Sequence, residues 1–408
     1  MSENIEMVFS ACIEWFNDWT RDSPPFLRDE WDFTQWMTGE MCEATECFLT
    51  YAFTSSRARN DAIQILRAIY YEYFLFEQGR HVLVPNPDAV ARLLALPQTA
   101  QKSASWHSEA RELLTAHEFG AVCYGTPARS GLVVAKKCVA EVVAADVDAD
   151  AAAMHSQHVF MCNEDGGLSA LKWGWRYEPV ARALFEQCVA GGPVDDTLGR
   201  IRHHTLPRLA ASPDGLITSG PRSGRLVEIK CPISRELTGV IPIDYYCQMQ
   251  LQAEVCDVDA VEYVEARLAL LKSPEELSAV VATCPWIGKV CVTTIDALSD
   301  DYNYEYSPVF PATLEGFAQA AAWHPISEYI HESSMWYVKD WFTKTVIRNR
   351  DWWAAVGFPA YEEFWREVEA ARLDGRFKPR SQFVDSDSDS SEGVQVYPET
   401  IAKWEGID

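Results

Sequence analysis

The sequence predicts an α/β fold with helical extensions at both ends. Three observations carry it. Leu226-Val227-Glu228-Ile229-Lys230 alternates apolar and polar residues, and 261–271 and 290–295 read as further strands. Around them, 173–186 and 243–255 carry apolar residues at helical spacing. The length of 408 residues, 48% of them apolar, suffices for one large domain with extensions, or for two domains.

From the N-terminus, Ile63, Leu66, Ile69, Tyr70, Tyr73 and Phe74 follow one helical face, so 1–100 reads as a helical extension that braces or docks. Pro85-Asn86-Pro87 breaks that run, and 88–96 is expected to be a helix. Residues 1–9 are acidic and lack the charged-then-apolar pattern of a signal peptide. No apolar run reaches the roughly eighteen residues of a membrane span. The twelve cysteines include no Cys-x-x-Cys pair, which points to free thiols in a reducing, intracellular compartment.

Residues 139–153 read as an acidic, solvated insertion, followed by His155 and His158 without a partner pattern. Trp336, Trp341, Trp352, Trp353 and Trp365 are read at helical spacing as packing residues of a helical C-terminal extension, 301–380. Asp385-Ser386-Asp387-Ser388-Asp389-Ser390-Ser391-Glu392 marks an acidic disordered tail, 381–408, whose serines suit phosphorylation.

The chemistry concentrates between 212 and 250. In Ser212-Pro213-Asp214-Gly215, proline presets one φ and glycine is expected to supply a positive φ. Residues 218–224, rich in Ser, Gly and Pro, link this turn to the 226–230 strand as a hairpin. The period of two puts Glu228 and Lys230 on one strand face, with Asp214 folded back beside them. Two carboxylates and a lysine suit metal-assisted phosphodiester hydrolysis, in which Mg²⁺ takes hard oxygen ligands and lowers the pKa of a bound water. A structural salt bridge at a strand end accounts for these three residues equally well.

Upstream stands Trp173-Gly174-Trp175-Arg176-Tyr177-Glu178-Pro179-Val180-Ala181-Arg182-Ala183-Leu184-Phe185-Glu186. With Ser-Pro-Asp-Gly, Glu228-Ile229-Lys230-Cys231-Pro232 and Gln248-Met249-Gln250 following in order, the set resembles the lambda-type exonucleases, the YqaJ-like viral recombinase nucleases of the PD-(D/E)XK superfamily. The resemblance spans about 100 to 270. Pro232-Ile233-Ser234-Arg235 and Gly239-Val240-Ile241-Pro242 are more similar to members from large DNA viruses. It implies a restriction-endonuclease-like core, 101–300, with a mixed central sheet flanked by helices. It implies Glu178, Asp214 and Glu228 as ligands of Mg²⁺, with Mn²⁺ as a substitute. Glu228 and Lys230 would position and activate water, and Gln248 would support the catalytic centre. The implied activity is a 5′→3′ exonuclease on linear double-stranded DNA ends, in viral recombination or genome processing. Host cytoplasm or nucleus would be its place, and a single-strand annealing protein its partner. Phage relatives form a trimeric ring; the long flanks here favour a monomer.

The family holds the 5′-phosphate with an arginine and a serine after a tryptophan. Here Trp106 is followed by Arg111, one residue late, and His117 replaces the serine. An endonuclease or RNA-cleaving nuclease of the same fold therefore stays open, as does a non-catalytic scaffold that binds DNA or a partner.

Net charge is −25, unfavourable for binding phosphates. Residues 170–235, however, hold ten Lys/Arg against six Asp/Glu, a local +4 that predicts a basic groove on an acidic body. Arg222 and Arg225 fit a solvated face as readily. One of His203 and His204 could face the site, although phosphate contact or exposure explains them as well.

Overall fold

The computed structural model describes residues 84–101, 103–138, 168, 170–294 and 302–377. The helical run expected before 84, the expected 139–153 insertion with His155 and His158, and the expected 381–408 tail lie outside them.

Eleven strands occur among the described residues: β1 Leu114–Thr115, β2 Val194–Asp195, β3 Ile201–Arg202, β4 Leu209–Ala211, β5 Gly215–Ile217, β6 Leu226–Lys230, β7 Ala260–Leu270, β8 Trp286–Thr294, β9 Tyr302–Tyr306, β10 Phe310–Pro311 and β11 Tyr329–Ile347. The main sheet runs β10-β8-β11-β7-β6-β5-β2, with β9 also on β8. Within it, β6 and β7 are parallel and the other pairs antiparallel. A small second sheet has the order β1-β4-β3. The helices used below are α1 Pro87–Ala95, α2 Ala104–Glu109, α3 Ala116–Tyr124, α4 Pro127–Cys138, α5 Ala170–Phe185, α6 Ile243–Cys256, α7 Leu277–Thr283, α8 Leu314–Ala322 and α9 Phe358–Asp374. This is the mixed central sheet flanked by helices that was expected.

The sheet is covered on both faces. Val227, Ile229, Val264, Ala266, Trp336 and Val338 pack with Tyr177, Val180, Leu184 and Phe185 of α5. Leu226, Val261, Tyr263 and Val346 belong to the opposite core with α3, α6 and α9, through residues such as Phe119, Met249 and Val368. Because both faces are covered, β7 is buried almost throughout, Glu262 and Glu265 included.

The expected helix 88–96 is α1, capped by the Asn86 side chain, with proline at its first position. The expected helix 243–255 is α6, the crossover between parallel β6 and β7. Ten of its fourteen residues are buried, including Gln248, Gln250 and Gln252, so three amides must find partners inside. Gln250 turns to the far strand end: its Nε2 donates to the Ile347 carbonyl (2.7 Å) and its Oε1 accepts from the Asn349 N–H (2.7 Å).

The reading of 301–380 as a helical extension is corrected. Trp336 and Trp341 lie on β11, a nineteen-residue strand between β7 and β8 in the middle of the sheet. Its β-branched and aromatic content favours a strand, and its partners β7 and β8 lie far away in sequence. It pairs with β8 on one edge over Tyr329–Val338 and with β7 on the other over Trp336–Ile347, with register shifts at Ile330/Glu332 and Val338/Asp340. Trp352 and Trp365 are core residues at helical positions, as expected.

At the crossing of α3 and α6, a Cβ on Gly120 would stand 2.6 Å from the Asp244 Cα. Only glycine permits that approach. Gly120→Ala is expected to destabilise the protein by about 1–3 kcal/mol through overpacking, read as a lower urea midpoint at unchanged slope.

Candidate active site

The hairpin forms as the sequence predicts: β5 pairs antiparallel with β6, Gly215 opposite Val227 and Leu216 opposite Leu226. One detail differs. Positive φ occurs at Gly220 and Gly224 in the connecting loop, and Gly215 is a strand residue without it. Gly215 is required for space, because a Cβ there would collide with the Val194 side chain.

Asp214 enters β5 with its Oδ2 accepting from the Ile229 N–H at 2.8 Å, which fixes it against β6. Glu228, at the centre of β6, is 1% exposed. Its Oε1 meets Lys230 Nζ at 2.8 Å and accepts from Gln248 Nε2 at 2.6 Å. Its Oε2 accepts from Gln252 Nε2 at 2.5 Å. The structure thus brings Asp214, Glu228, Lys230 and Gln248 together. Gln252 was not singled out in the sequence, although its spacing of four from Gln248 puts both amides on one helix face.

Lys230 is one-fifth exposed and lies 4.6 Å from the Tyr245 ring centroid. Burial alone would lower its pKa, but the carboxylates of Glu228 and Asp214 outweigh burial and raise it. Asp214 is pushed well above the ordinary carboxylate range, first by burial and then by the charges of Glu228 and Glu178. The half-buried Glu178 of α5 thus bears on Asp214 through its charge. Lys230 offsets the three carboxylates only in part, so the cluster carries excess negative charge.

A hard divalent cation fits this donor set in charge and chemistry: carboxylate oxygens with too little positive charge. As they stand, no three His, Cys, Asp or Glu side chains among the described residues are grouped to hold a metal ion. Glu228 shows why, since both its oxygens are turned to donors within the protein.

Arg111 lies half-buried in the 3₁₀ turn Ala110–Glu112, and His117 is exposed in the first turn of α3. This segment is braced. Lys137 of α4 donates from Nζ to the Ala110 carbonyl (2.8 Å) and to the Glu118 carboxylate (2.7 Å). Arg372 of α9 reaches the Glu112 carboxylate (3.1 Å) and the Lys137 carbonyl (2.7 Å). Just upstream, the segment is tied to the Asp214 turn. Trp106 Nε1 donates to Ser212 Oγ (3.0 Å), and Gln101 Nε2 donates to the Pro213 carbonyl (3.0 Å). Arg200 covers the Trp106 ring at 4.2 Å.

The expected basic groove is corrected. At least eight of its ten cations face carboxylates: Arg176–Glu332, Arg182–Asp196, Arg202–Glu109, Arg208–Glu369, Arg222 and Arg225–Glu262, Lys230–Glu228 and Arg235–Glu265. Arg225 is buried against Glu262 at 2.7 Å, so it is no solvated face. His203 is also accounted for. Its Nδ1 accepts from the Thr205 and Leu206 N–H groups, its Nε2 stands 3.7 Å from Glu254, and His204 stacks on it. Among the described residues no disulfide forms, and no helix is long and apolar enough to cross a membrane.

The model of the YqaJ-like viral recombinase domain matches residues 105–259. No curated protein matches the chain. Among solved structures, an alkaline exonuclease (LHK-Exo) from Laribacter hongkongensis is 17% identical, with a TM-score of 0.37 over 67% of this chain and 96% of that one. The same enzyme in complex with dAMP gives 16% identity and a TM-score of 0.35, over 67% and 98%. A phage-related exonuclease from Haemophilus somnus 129PT gives 15% and 0.25, over 56% and 80%. Residues 105–259, which carry Arg111, His117, Glu178, Asp214, Glu228, Lys230 and Gln248, belong to the YqaJ-like viral recombinase domain family.

Proposed function

We propose that this chain is a Mg²⁺-dependent deoxyribonuclease, a 5′→3′ exonuclease acting on linear duplex ends in viral recombination or genome processing. The observation that carries the reading is the hairpin that gathers Asp214, Glu228 and Lys230, with the charge of Glu178 bearing on Asp214. A scaffold has no use for crowded, partly buried carboxylates that hold Asp214 well above the ordinary carboxylate range. The family of residues 105–259 points the same way.

Glu178, Asp214 and Glu228 would hold the cation. When bound, Mg²⁺ supplies Lewis-acid stabilisation of phosphate charge and a more acidic water. The chain's own residues do the rest. Lys230, its pKa raised, stays an ammonium at neutral pH. It therefore donates from Nζ and orients the water or a phosphate oxygen, and does not serve as the base. Gln248 holds Glu228 Oε1 so that the carboxylate cannot swing away. Arg111 and His117, on the segment tied to the Asp214 turn, would meet the DNA end, Arg111 through its forked guanidinium and His117 as a hydrogen-bond donor.

The test is cleavage of a linear duplex bearing a 5′-phosphate beside its 5′-hydroxyl twin, a supercoiled circle and a single-stranded RNA. Mg²⁺-dependent loss of the linear duplexes is expected, faster with the 5′-phosphate. Glu228→Gln and Asp214→Ala should each lower kcat by about 10³-fold or more. Arg111→Ala should narrow the gap between the two ends. Cleavage of the circle or the RNA without phosphate preference would replace the exonuclease reading with an endonuclease. Absence of cleavage under any metal would leave a scaffold.

The raised Asp214 pKa gives a second prediction. A carboxyl whose folded pKa exceeds its unfolded value binds more protons when folded, so its contribution to stability falls as pH rises through the folded value. In EDTA at pH 8, Asp214→Asn is therefore expected to stabilise the protein by about 1 kcal/mol, or about 2 °C in Tm. The gain should shrink as pH falls and vanish only below about pH 3.8, the ordinary aspartate value, where the carboxyl is protonated folded and unfolded alike, and Mg²⁺ should raise the Tm of the wild type alone. An equal or lower Tm for Asp214→Asn at pH 8 would show that the cluster is not crowded with charge.

A further inference from the structure

Three donors meet the Glu228 carboxylate, and a carboxylate offers about four lone-pair sites. Lys230 Nζ and Gln248 Nε2 take the two on Oε1, at 2.8 and 2.6 Å. Gln252 Nε2 takes one on Oε2, at 2.5 Å. One site on Oε2 remains, and Gln252 decides which.

Gln252 is fully buried at 0% exposure, and its Oε1 has no hydrogen-bond partner. The amide cannot be turned round, because its carbonyl would then face a carboxylate. A buried carbonyl left unsatisfied opposes folding, and a leucine or methionine would fill the same place without that penalty. A glutamine retained there is explained by its bond to Glu228, not by packing.

We propose that Gln252 is a positioning residue: it clamps Glu228 Oε2 so that its one remaining lone pair is presented to the divalent cation. This rests on the proposed metal-dependent nuclease reading. Gln248 and Gln252, one helical turn apart on α6, then grip opposite oxygens of one carboxylate and fix its plane. Outer groups of this kind set metal affinity by about 10–100-fold.

The test uses the full chain and two readouts. Binding of Mn²⁺ is followed by calorimetry without DNA, and the Mg²⁺ concentration for half-maximal cleavage is measured with DNA. Gln252→Leu is expected to weaken Mn²⁺ binding and raise the half-saturating Mg²⁺ concentration by about tenfold or more, with KM for DNA unchanged. Should Gln252→Leu fail to fold, as judged by circular dichroism, Gln252→Met and Gln252→Glu take its place. Met removes the donor, and Glu sets a like charge against Glu228. Unchanged metal affinity and Mg²⁺ dependence in a folded variant would overturn the proposal and leave Gln252 a packing residue. Glu228→Gln separates the two levels: if it too leaves Mn²⁺ binding unchanged, the metal reading itself fails.

Discussion

The rest of the site depends on one carboxylate held inside a sheet. Glu228 sits in the middle of β6 with a helix over it, where an isolated charge is costly to bury. It is tolerated because three donors reach it, one from its own strand and two from α6. Those bonds fix the rotation of α6 about its axis, since Gln248 and Gln252 must both point at β6. With α6 so oriented, Gly120 of α3 lies against Asp244, and the helical layer follows. Placement of the helices and geometry of the acidic cluster are thus one constraint.

Much of this was legible in the sequence, for a physical reason. The hairpin, β6, α6 and the acidic set are specified locally, by turn residues and by periods of two and 3.6. What escaped depends on partners distant in sequence. β11 reveals itself as a strand only through its pairing with β7 and β8, partners that its own residues do not specify. Gln252 escaped because Gln-x-Gln draws the eye to Gln250, which serves the opposite end of the sheet. The role of Gly215 was misassigned because the neighbour that forbids a side chain, Val194, is twenty-one residues away.

The same distinction governs the charge. A window from 170 to 235 has a surplus of four positive charges. Glu109, Glu262, Glu265, Glu332 and Glu369, all outside the window, come back in space to neutralise six of its arginines. No local count could show this. These pairs are not equivalent for a chain that meets a polyanion. Arg225 and Glu262 are buried together, and separating them would strand a charge inside the protein. Arg202 and Arg208 lie half-exposed against half-exposed partners, and such pairs are worth about 0–1 kcal/mol. Arg202 and Arg208 exchange a carboxylate for a phosphate at little expense.

That asymmetry bears on how so acidic a chain approaches DNA. A field of −25 repels phosphates over the body of the molecule. On the proposed nuclease reading, attraction would be short-ranged: a cation held by Glu178, Asp214 and Glu228, the ammonium of Lys230, and arginines released from surface carboxylates one at a time. Each exchange removes a carboxylate from the path of the strand only where a phosphate takes its place. The ties from Trp106 and Gln101 to the Asp214 turn hold the Arg111 segment and the acidic cluster in one frame, so on the proposed reading contacts to a DNA end and contacts at the cluster would be made together.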